Sequence, residues 1–266
     1  FQLTDDEKFL FKDELSLEDT HRMAYENALD IIALGFDKKK TYLFTDTDYA
    51  KTLYPQALRV AKKITASTVK AAFGFTDTNN IGEYFYTSMQ AVPAFLPSVQ
   101  AGRNIPCLIP MGIDQDPHFR VSRDVMPKLG YYKPAALHCR FFPGLLGSMG
   151  KMSASQADAA IYTTDDEKTV EKKIRKYAFS GGKDTIEEHR KLGGNPAIDV
   201  SYQWLYMLFE PDDAKIKQIH DDYASGKLLS GELKAILIEK LNAFLREHQK
   251  KRESARKVVD KYFIKD

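Results

Sequence analysis

The amino-acid sequence predicts an α/β protein in which a partial parallel sheet is followed by an all-helical C-terminal domain. Up to Ser155, short apolar runs alternate with segments of helical period, which is typical of parallel strands joined by crossover helices. Beyond Ser155 the β signal fades and the apolar spacing is helical. We therefore expect two domains, residues 1–155 and residues 156–266.

The predicted sheet consists of short apolar runs, with helical segments at residues 19–34 and 55–65 between them. In open sheets of this type ligands bind beyond the carboxyl ends of the strands, so a site is expected at the polar turns that follow these runs. The runs are Phe1–Leu3, which we interpret as the end of a strand, then Thr41–Thr45, Ile105–Pro110 and Ala135–Cys139.

The C-terminal domain is predicted to contain helices at residues 166–178, 211–225 and 230–263. The last has the clearest signal, an apolar stripe of i, i+3 and i+4 spacing with Ser230 as a candidate N-cap. The members of the stripe are Leu233, Ile236, Leu237, Leu241, Phe244, Leu245 and His248.

The composition is typical of a soluble globular protein, with 43% apolar and 29% charged residues. Because the net charge is only +2, a polyanion would have to be bound by a local patch. No apolar run approaches the roughly 18 residues of a membrane span, and no signal peptide is visible. Cys107 and Cys139 lie in strand-like runs without metal-ligand spacing, which favours reduced core thiols and a cytoplasmic protein.

A lysine and two serines follow a group of glycines near the expected domain boundary. The glycines predict a loop, and a lysine ammonium, serine hydroxyls and backbone N–H groups are suited to binding a triphosphate. The spacing is not that of a Walker loop, and the alternative is an ordinary exposed loop before a helix. The residues concerned are Gly144, Gly147, Gly150, Lys151, Met152, Ser153 and Ser155.

Polar side chains also follow the first strand, at Thr4–Lys8. The spacing of Thr4 and Glu7 predicts a capping box that opens a helix. Alternatively, Gln2 and Glu7 face a small ligand, because a carboxylate binds an ammonium group and a buried amide binds a ring N–H. Gln90 lies among apolar residues; it is either a solvated helix residue, which the sequence alone favours, or a donor to a carboxylate.

A further polar turn, Gly112–Pro117, follows the predicted third strand. Gly112 would permit close approach of the backbone to a ligand, Asp114 would bind ribose hydroxyls, and Gln115 would bind an amine. The alternatives are a helix cap at Asp116 and, with weaker support, a Mg²⁺ site formed by Asp114 and Asp116.

Four tracts, taken in their order along the chain, resemble those of class I aminoacyl-tRNA synthetases, more narrowly the tryptophanyl-tRNA synthetases of the eukaryotic and archaeal type. Lys151–Ser155 is similar to the family's second ATP signature, and Thr4–Lys8 with Ile113–Pro117 to its tryptophan-side segments. Tyrosyl-tRNA synthetases share the fold and the lysine tract, so the choice of tryptophan depends on a fourth tract, Ala178–Arg190. The resemblance covers almost the whole chain and implies a Rossmann-like catalytic domain followed by a helical anticodon-binding domain.

The resemblance implies that tryptophan is activated with ATP to tryptophanyl-adenylate and then transferred to tRNA(Trp). Lys151, assisted by Mg²⁺, would be catalytic by stabilising charge on the departing pyrophosphate. The implied ATP-binding residues are Gly112, Asp114, Lys151, Met152, Ser153 and Ser155. In the implied tryptophan pocket Gln2 binds the indole N–H, Glu7 and Gln115 bind the ammonium, Gln90 binds the carboxylate and Phe119 forms an apolar wall.

The family's first ATP signature, a His-x-Gly-His-like tetrapeptide, has no counterpart among the six histidines. We therefore expect a fragment that forms no adenylate by itself; the alternative is a noncatalytic RNA-binding or protein-interaction fragment. The resemblance also implies a homodimer. A basic stretch near the C terminus is either a phosphate contact or, as the intervening glutamates favour, a solvated helix face. It consists of Lys250, Lys251, Arg252, Arg256 and Lys257.

Overall fold

The structure, a computed structural model, describes residues 1–151 and 159–266. Two compact units make up the chain. Unit 1 is formed by Phe1–Arg140 together with Arg252–Asp266, and unit 2 by Phe141–Lys251. Compact units and functional domains are different divisions of a chain, so domains at residues 1–155 and 156–266 stay a prediction.

Unit 1 alternates short strands and helices, as the sequence predicts. Its strands are β1 (Gln2–Leu3), β2 (Phe44–Thr45), β3 (Leu108–Gly112) and β4 (Ala135–Cys139). Its helices are α1 (Asp5–Phe11), α2 (Leu17–Ala33), α3 (Ala50–Ala61), α4 (Ala66–Phe73), α5 (Ile81–Met89), α6 (Leu96–Ala101) and α7 (Asp116–Val125), and short 3₁₀ turns lie at Val92–Ala94, Ile113–Gln115, Met126–Leu129 and Val259–Lys261.

The strands of unit 1 pair in parallel, which confirms the predicted parallel α/β class. Strand β1 pairs with β2, with Gln2 opposite Phe44. Strand β3 pairs with β4 over its whole length, from Leu108 opposite Ala135 to Gly112 opposite Cys139. The two pairs therefore present two sets of carboxyl ends at which polar side chains can gather.

The predicted core thiol at Cys139 is wrong, because this side chain is exposed, whereas Cys107 is partly buried. Along β3 and β4 several apolar residues are also open to solvent, including Leu108 at 59% and Leu137 at 54% exposure. The expectation assumed a parallel sheet covered on both faces. Within residues 1–151 and 159–266, β3 and β4 form a two-stranded sheet, and one of its faces is left open.

The C-terminal residues of the chain belong to unit 1 and shorten the predicted last helix. That helix ends at Ala255, and Phe263 forms a parallel bridge with Leu43, next to β2. Arg252 lies on its last turn with a side chain only 8% exposed, paired with Glu26 and Asp30. The solvated-face interpretation is therefore wrong at Arg252, because the guanidinium is committed to a buried ion pair.

Unit 2 is mainly helical, as expected for the region after Ser155. It contains the antiparallel pair β5 (Pro143–Gly144) and β6 (Gly147–Lys151), helices α8 (Glu167–Tyr177), α9 (Ile186–Leu192), α10 (Val200–Trp204) and α11 (Asp213–Ala224), a π-helical turn at Leu205–Phe209, and most of α12 (Ser230–Ala255). Its core includes Trp204, Leu233 and Leu237, each at most 1% exposed. In the described part of the chain, no helix has the length and apolar character needed to cross a membrane.

The candidate N-cap at Ser230 is wrong, since this serine is the first helical residue of α12. Its hydroxyl lies 3.0 Å from the Tyr223 hydroxyl. The Tyr223 hydroxyl also donates to Asp199, which is 1% exposed and accepts the Gly181 N–H at 2.9 Å. A β-carbon at Gly181 would collide with the carbonyl oxygen of Asn195. The glycine in the tract Ala178–Arg190 thus has a packing role in unit 2.

Candidate functional site

Polar residues converge where β1 and β2 end. The two strands are parallel, so their carboxyl ends lie at the same edge. Residues Thr4 to Glu7 follow β1, and Asp46 and Thr47 follow β2. The sequence predicts a site at this edge, and the structure assembles a larger set of acids there than the sequence analysis identified.

The amide of Gln2 is anchored by Asp46. Its Nε2 donates to both carboxyl oxygens of Asp46, at 2.8 and 2.9 Å. Asp46 is 2% exposed, so solvent has little access to this contact. Because Nε2 makes these bonds, the other end of the amide, Oε1, points away from Asp46 and is available as an acceptor.

Asp46 and Asp6 form a buried carboxyl pair. Burial, together with the charge of Asp6 and a hydrogen bond between the two, raises the pKa of Asp46 to about 9. Burial also raises the pKa of Asp6, and its hydrogen bond to Asp46 opposes that rise. The pair therefore retains a proton at neutral pH, held between Asp46 and Asp6.

Asp5 joins the start of α1 to the segment after β2. It is 2% exposed and accepts the backbone N–H of Thr47 at 3.2 Å as well as the Thr47 hydroxyl. The Nδ1 of His21 lies 3.4 Å from Asp5 Oδ2, the oxygen that also accepts the Thr47 hydroxyl. These contacts are internal to the fold, so Asp5 has a structural role next to the acid pair.

The predicted capping box at Thr4 and Glu7 does not form, although α1 does begin after Thr4. The Thr4 hydroxyl donates to Glu7 Oε2 at 2.8 Å, and the Glu7 N–H is bound by Asp6 Oδ1 at 2.8 Å. The acceptor that a capping box requires from threonine is supplied by Asp6. Thr4 consequently orients the Glu7 side chain within this cluster.

Gln90 is anchored in the opposite sense to Gln2. The hydroxyl of Tyr86, one turn earlier, donates to Gln90 Oε1, so Nε2 is the end left to donate elsewhere. Tyr86 is 2% exposed; burial, then the negative charges of Glu7 and Asp46, raise its pKa and keep the hydroxyl protonated. Gln90 is half-buried and follows the last turn of a helix packed into the core, so it is only partly solvated, and its role as a donor stays a prediction.

The first turn of α7 borders the same cluster. The ring of His118 lies 4.4 Å from that of Phe73 and 6.3 Å from that of Tyr86, between ring centroids. Burial lowers the pKa of His118 against the opposing charge of Glu7, and its Nδ1 is buried without a hydrogen-bond partner. A neutral imidazole thus faces the cluster, and Phe119, 6% exposed, follows it in the helix.

The turn that precedes α7 contains the remaining candidates of unit 1. Gly112 ends β3, Asp114 is exposed and Gln115 is half-buried. Asp116 does not cap α7, which begins at this residue. Its carboxylate binds His138 Nε2 at 2.7 Å and Arg120 Nε at 2.5 Å, and the bond to His138 is the main cause of its lowered pKa.

The alternative of a Mg²⁺ site at Asp114 and Asp116 gains no support. The carboxylate of Asp116 is already paired with Arg120 and His138. Within residues 1–151 and 159–266, no group of three or more His, Cys, Asp or Glu side chains could hold a metal ion.

The lysine tract lies in unit 2 and is only partly described. Gly150 and Lys151 belong to β6, with Lys151 opposite Pro143, so the predicted loop does not begin as early as Gly150. Met152, Ser153 and Ser155 lie outside the described residues.

Three residues of the cluster were missed at the sequence level: Asp46, Tyr86 and His118. A signal for Asp46 was present, because it follows the predicted strand Thr41–Thr45 directly and the strand-end rule applies to it as it does to Glu7. Tyr86 and His118 gave no such signal, since they lie within helices and contact the cluster only through tertiary packing.

This architecture, a parallel α/β unit with polar residues at its strand ends and a second, helical unit, is that of a class I tRNA synthetase. A family model described as tRNA synthetases class I (W and Y) matches residues 8–246, and the chain belongs to this family.

Curated relatives carry the name tryptophan–tRNA ligase. The protein of Sulfurisphaera tokodaii is 57% identical over 259 residues, which are 97% of this chain and 66% of the relative. That of Saccharolobus solfataricus is 53% identical, again over 97% of this chain and 66% of the relative. The chain thus spans 66% of the length of these curated relatives.

Solved structures share the fold. Tryptophanyl-tRNA synthetase from Giardia lamblia has a TM-score of 0.91 at 37% identity and covers 100% of this chain and 73% of its own. A tryptophanyl-tRNA synthetase from Encephalitozoon cuniculi bound to tryptophan has a TM-score of 0.88 at 33% identity, over 99% of this chain and 71% of its own.

Proposed function

We propose that this chain is part of an enzyme that activates L-tryptophan with ATP to tryptophanyl-adenylate and transfers the tryptophanyl group to tRNA(Trp). The observation that carries the proposal is the cluster at the ends of β1 and β2. The acceptor end of Gln2, the acid Glu7 and the donor end of Gln90 all lie in unit 1. The family includes enzymes for both tryptophan and tyrosine, and the names of the curated relatives favour tryptophan.

On the amino-acid side, each group of tryptophan has a complementary partner in our proposal. The indole N–H is a donor and needs an acceptor, which Gln2 Oε1 supplies because Nε2 is bound by Asp46. The carboxylate of the substrate accepts from Gln90 Nε2, whose Oε1 is bound by Tyr86. Glu7 and Gln115 bind the ammonium, and Phe119 forms an apolar wall.

On the nucleotide side, we assign Gly112 and Asp114 to the ribose and Lys151, Met152, Ser153 and Ser155 to the phosphates. The carboxylate oxygen of tryptophan attacks the α-phosphorus of ATP, the bond to the bridging oxygen breaks, and pyrophosphate leaves. Lys151 is the proposed catalytic residue, since its positive charge stabilises the departing pyrophosphate. Mg²⁺, bound to phosphate oxygens of ATP, would neutralise phosphate charge.

The second substrate and the assembly are extensions of the same proposal. Residues 156–266 would bind the anticodon of tRNA(Trp), and the complete enzyme would be a cytoplasmic homodimer. The α12 cations are already engaged in part, since Lys251 pairs with Glu247 and Arg252 with Glu26. This supports the view that the basic stretch is no general phosphate-binding surface.

The pocket is tested by calorimetric titration of the chain with tryptophan, tyrosine and phenylalanine. We expect tryptophan to bind at least about tenfold more tightly than phenylalanine, because a site that hydrogen-bonds a ring N–H rejects a ring without one. Glu7→Gln should weaken tryptophan binding by about tenfold through loss of charge on the ammonium partner. Glu14→Gln, an exposed acid in the turn after α1, is the matched control. Equal affinity for all three amino acids would refute the proposal.

A further inference from the structure

The anchor of Gln2 has a consequence for specificity. A glutamine amide has two ends of nearly the same shape, of which one accepts and the other donates hydrogen bonds. If neither end is anchored, both orientations are populated, and only one of them can accept an indole N–H. A neighbouring hydrogen-bond partner must therefore fix the orientation of the amide toward the ligand.

Asp46 lies where it can fix the orientation of the Gln2 amide. It contacts Nε2 of Gln2 with both oxygens, at 2.8 and 2.9 Å, and is 2% exposed, so water is not an alternative partner. Reversal of the amide would set Oε1 against the lone pairs of Asp46 in a desolvated place, which is unfavourable.

The proton of the acid pair does not remove this preference. Asp46 could favour a reversed amide only if it donated its proton to Gln2. That proton is engaged in the hydrogen bond between Asp46 and Asp6. Asp5, the other acid nearby, is bound to Thr47 and does not compete for Gln2. Toward Gln2, Asp46 is therefore an acceptor whether or not the pair holds a proton.

We propose that Asp46 is a positioning residue that fixes the amide of Gln2 with its oxygen toward the ligand, and so makes the pocket selective for a ring that donates a hydrogen bond. The proposal rests on the assignment of Gln2 to the indole N–H in the proposed function. Asp46 itself does not touch the substrate; it acts through Gln2.

The test compares L-tryptophan with benzothienyl-alanine, in which sulfur replaces the ring N–H. Calorimetry on the wild-type chain should give about a tenfold preference for tryptophan, the worth of one hydrogen bond. Asp46→Asn, close in shape, should reduce that preference to about twofold or less, because an asparagine amide presents a donor as well as an acceptor to Gln2. A purely structural role would weaken both ligands equally and leave the ratio unchanged.

Two further variants sharpen the comparison. Gln2→Met removes the amide, and Asp46→Asn should cause no further loss of preference in that background, because Asp46 acts only through Gln2. Asp5→Asn alters a neighbouring acid that is equally buried, and the preference should survive it. A preference that persists in Asp46→Asn overturns the inference, whereas a wild-type chain with no preference, or no tryptophan binding, overturns the proposed function.

A further measurement tests the inference about Asp46 separately from the proposed function. It needs neither a ligand nor an Asp46 variant. In a chain labelled with ¹⁵N at glutamine, the side-chain amide signals of Gln2, assigned by their loss in Gln2→Met, should shift with a midpoint near the pKa of about 9 of Asp46. Gln249 is the internal control, because its Nε2 donates to two backbone carbonyls, of Thr163 and Asp165. Gln2 signals that stay constant with pH, as those of Gln249 should, would contradict a contact between Gln2 and a titrating acid pair.

Discussion

The acid pair should make the stability of unit 1 fall as the pH rises, and Asp46→Asn should remove this dependence. In the folded chain Asp46 keeps a proton up to a pKa of about 9, whereas the ordinary value is 3.8. Between these values the folded state holds a proton that the unfolded state has lost. The stabilisation is therefore complete below about pH 3.8 and is lost as the pH rises toward about 9.

The size of the effect follows from proton linkage. One proton changes the free energy of unfolding by about 1.4 kcal/mol per pH unit, so two pH units inside this window correspond to about 2.7 kcal/mol. Asparagine at position 46 binds no proton, so this contribution disappears. Asp46→Asn should consequently gain stability relative to the wild type by up to about 2.7 kcal/mol between about pH 6 and about pH 8.

Urea denaturation followed by circular dichroism, at several pH values for both chains, measures this difference directly. Subtraction of the two curves removes the titration of groups that the substitution leaves untouched. Gln2→Met is the matched control and should keep the wild-type slope, since the hydrogen bond from Gln2 lowers the pKa of Asp46 and is no cause of its rise. Parallel stability curves for wild type and Asp46→Asn would show that the pair holds no extra proton.

Three further predictions concern other buried contacts. Tyr86→Phe removes the donor to Gln90 Oε1 and should weaken tryptophan binding by about tenfold in calorimetry; unchanged binding would disprove that Tyr86 orients Gln90. Trp204→Phe deletes the 2.8 Å hydrogen bond from Nε1 to the Pro143 carbonyl in the core of unit 2 and should lower the free energy of unfolding by about 2–3 kcal/mol in urea denaturation. A loss below about 0.5 kcal/mol would contradict this role of the buried indole. Arg252→Met leaves two carboxylates without their buried partner and should cost about 1–3 kcal/mol, less at high salt; a more stable variant would mean that desolvation outweighs the ion pair.

Sequence periodicity was sufficient for the order of elements and insufficient for their ends. Helix α12 was predicted to reach residue 263, because apolar and basic residues continue at helical spacing. It stops at Ala255, since Phe263 gains a backbone bridge to Leu43 that no local pattern can indicate. Cys139 was placed in the core for a similar reason: an apolar run predicts a strand, but which of its faces is covered depends on the rest of the sheet.

The candidate site shows the same limit at the level of single atoms. The sequence identifies Gln2 and Gln90 as amides near a strand end or among apolar residues, and an amide alone is both donor and acceptor. What distinguishes them is the partner of each: Asp46, which lies opposite the strand of Gln2, takes the donor end, and Tyr86, one helical turn before Gln90, takes the acceptor end. The first partner comes from strand pairing across residues far apart in the chain and the second from helical geometry. In the proposed pocket, specificity for the two ends of an amino acid would thus be encoded in residues that need not touch it, and exchanging Asp46 or Tyr86 should alter recognition without changing any group at the ligand surface.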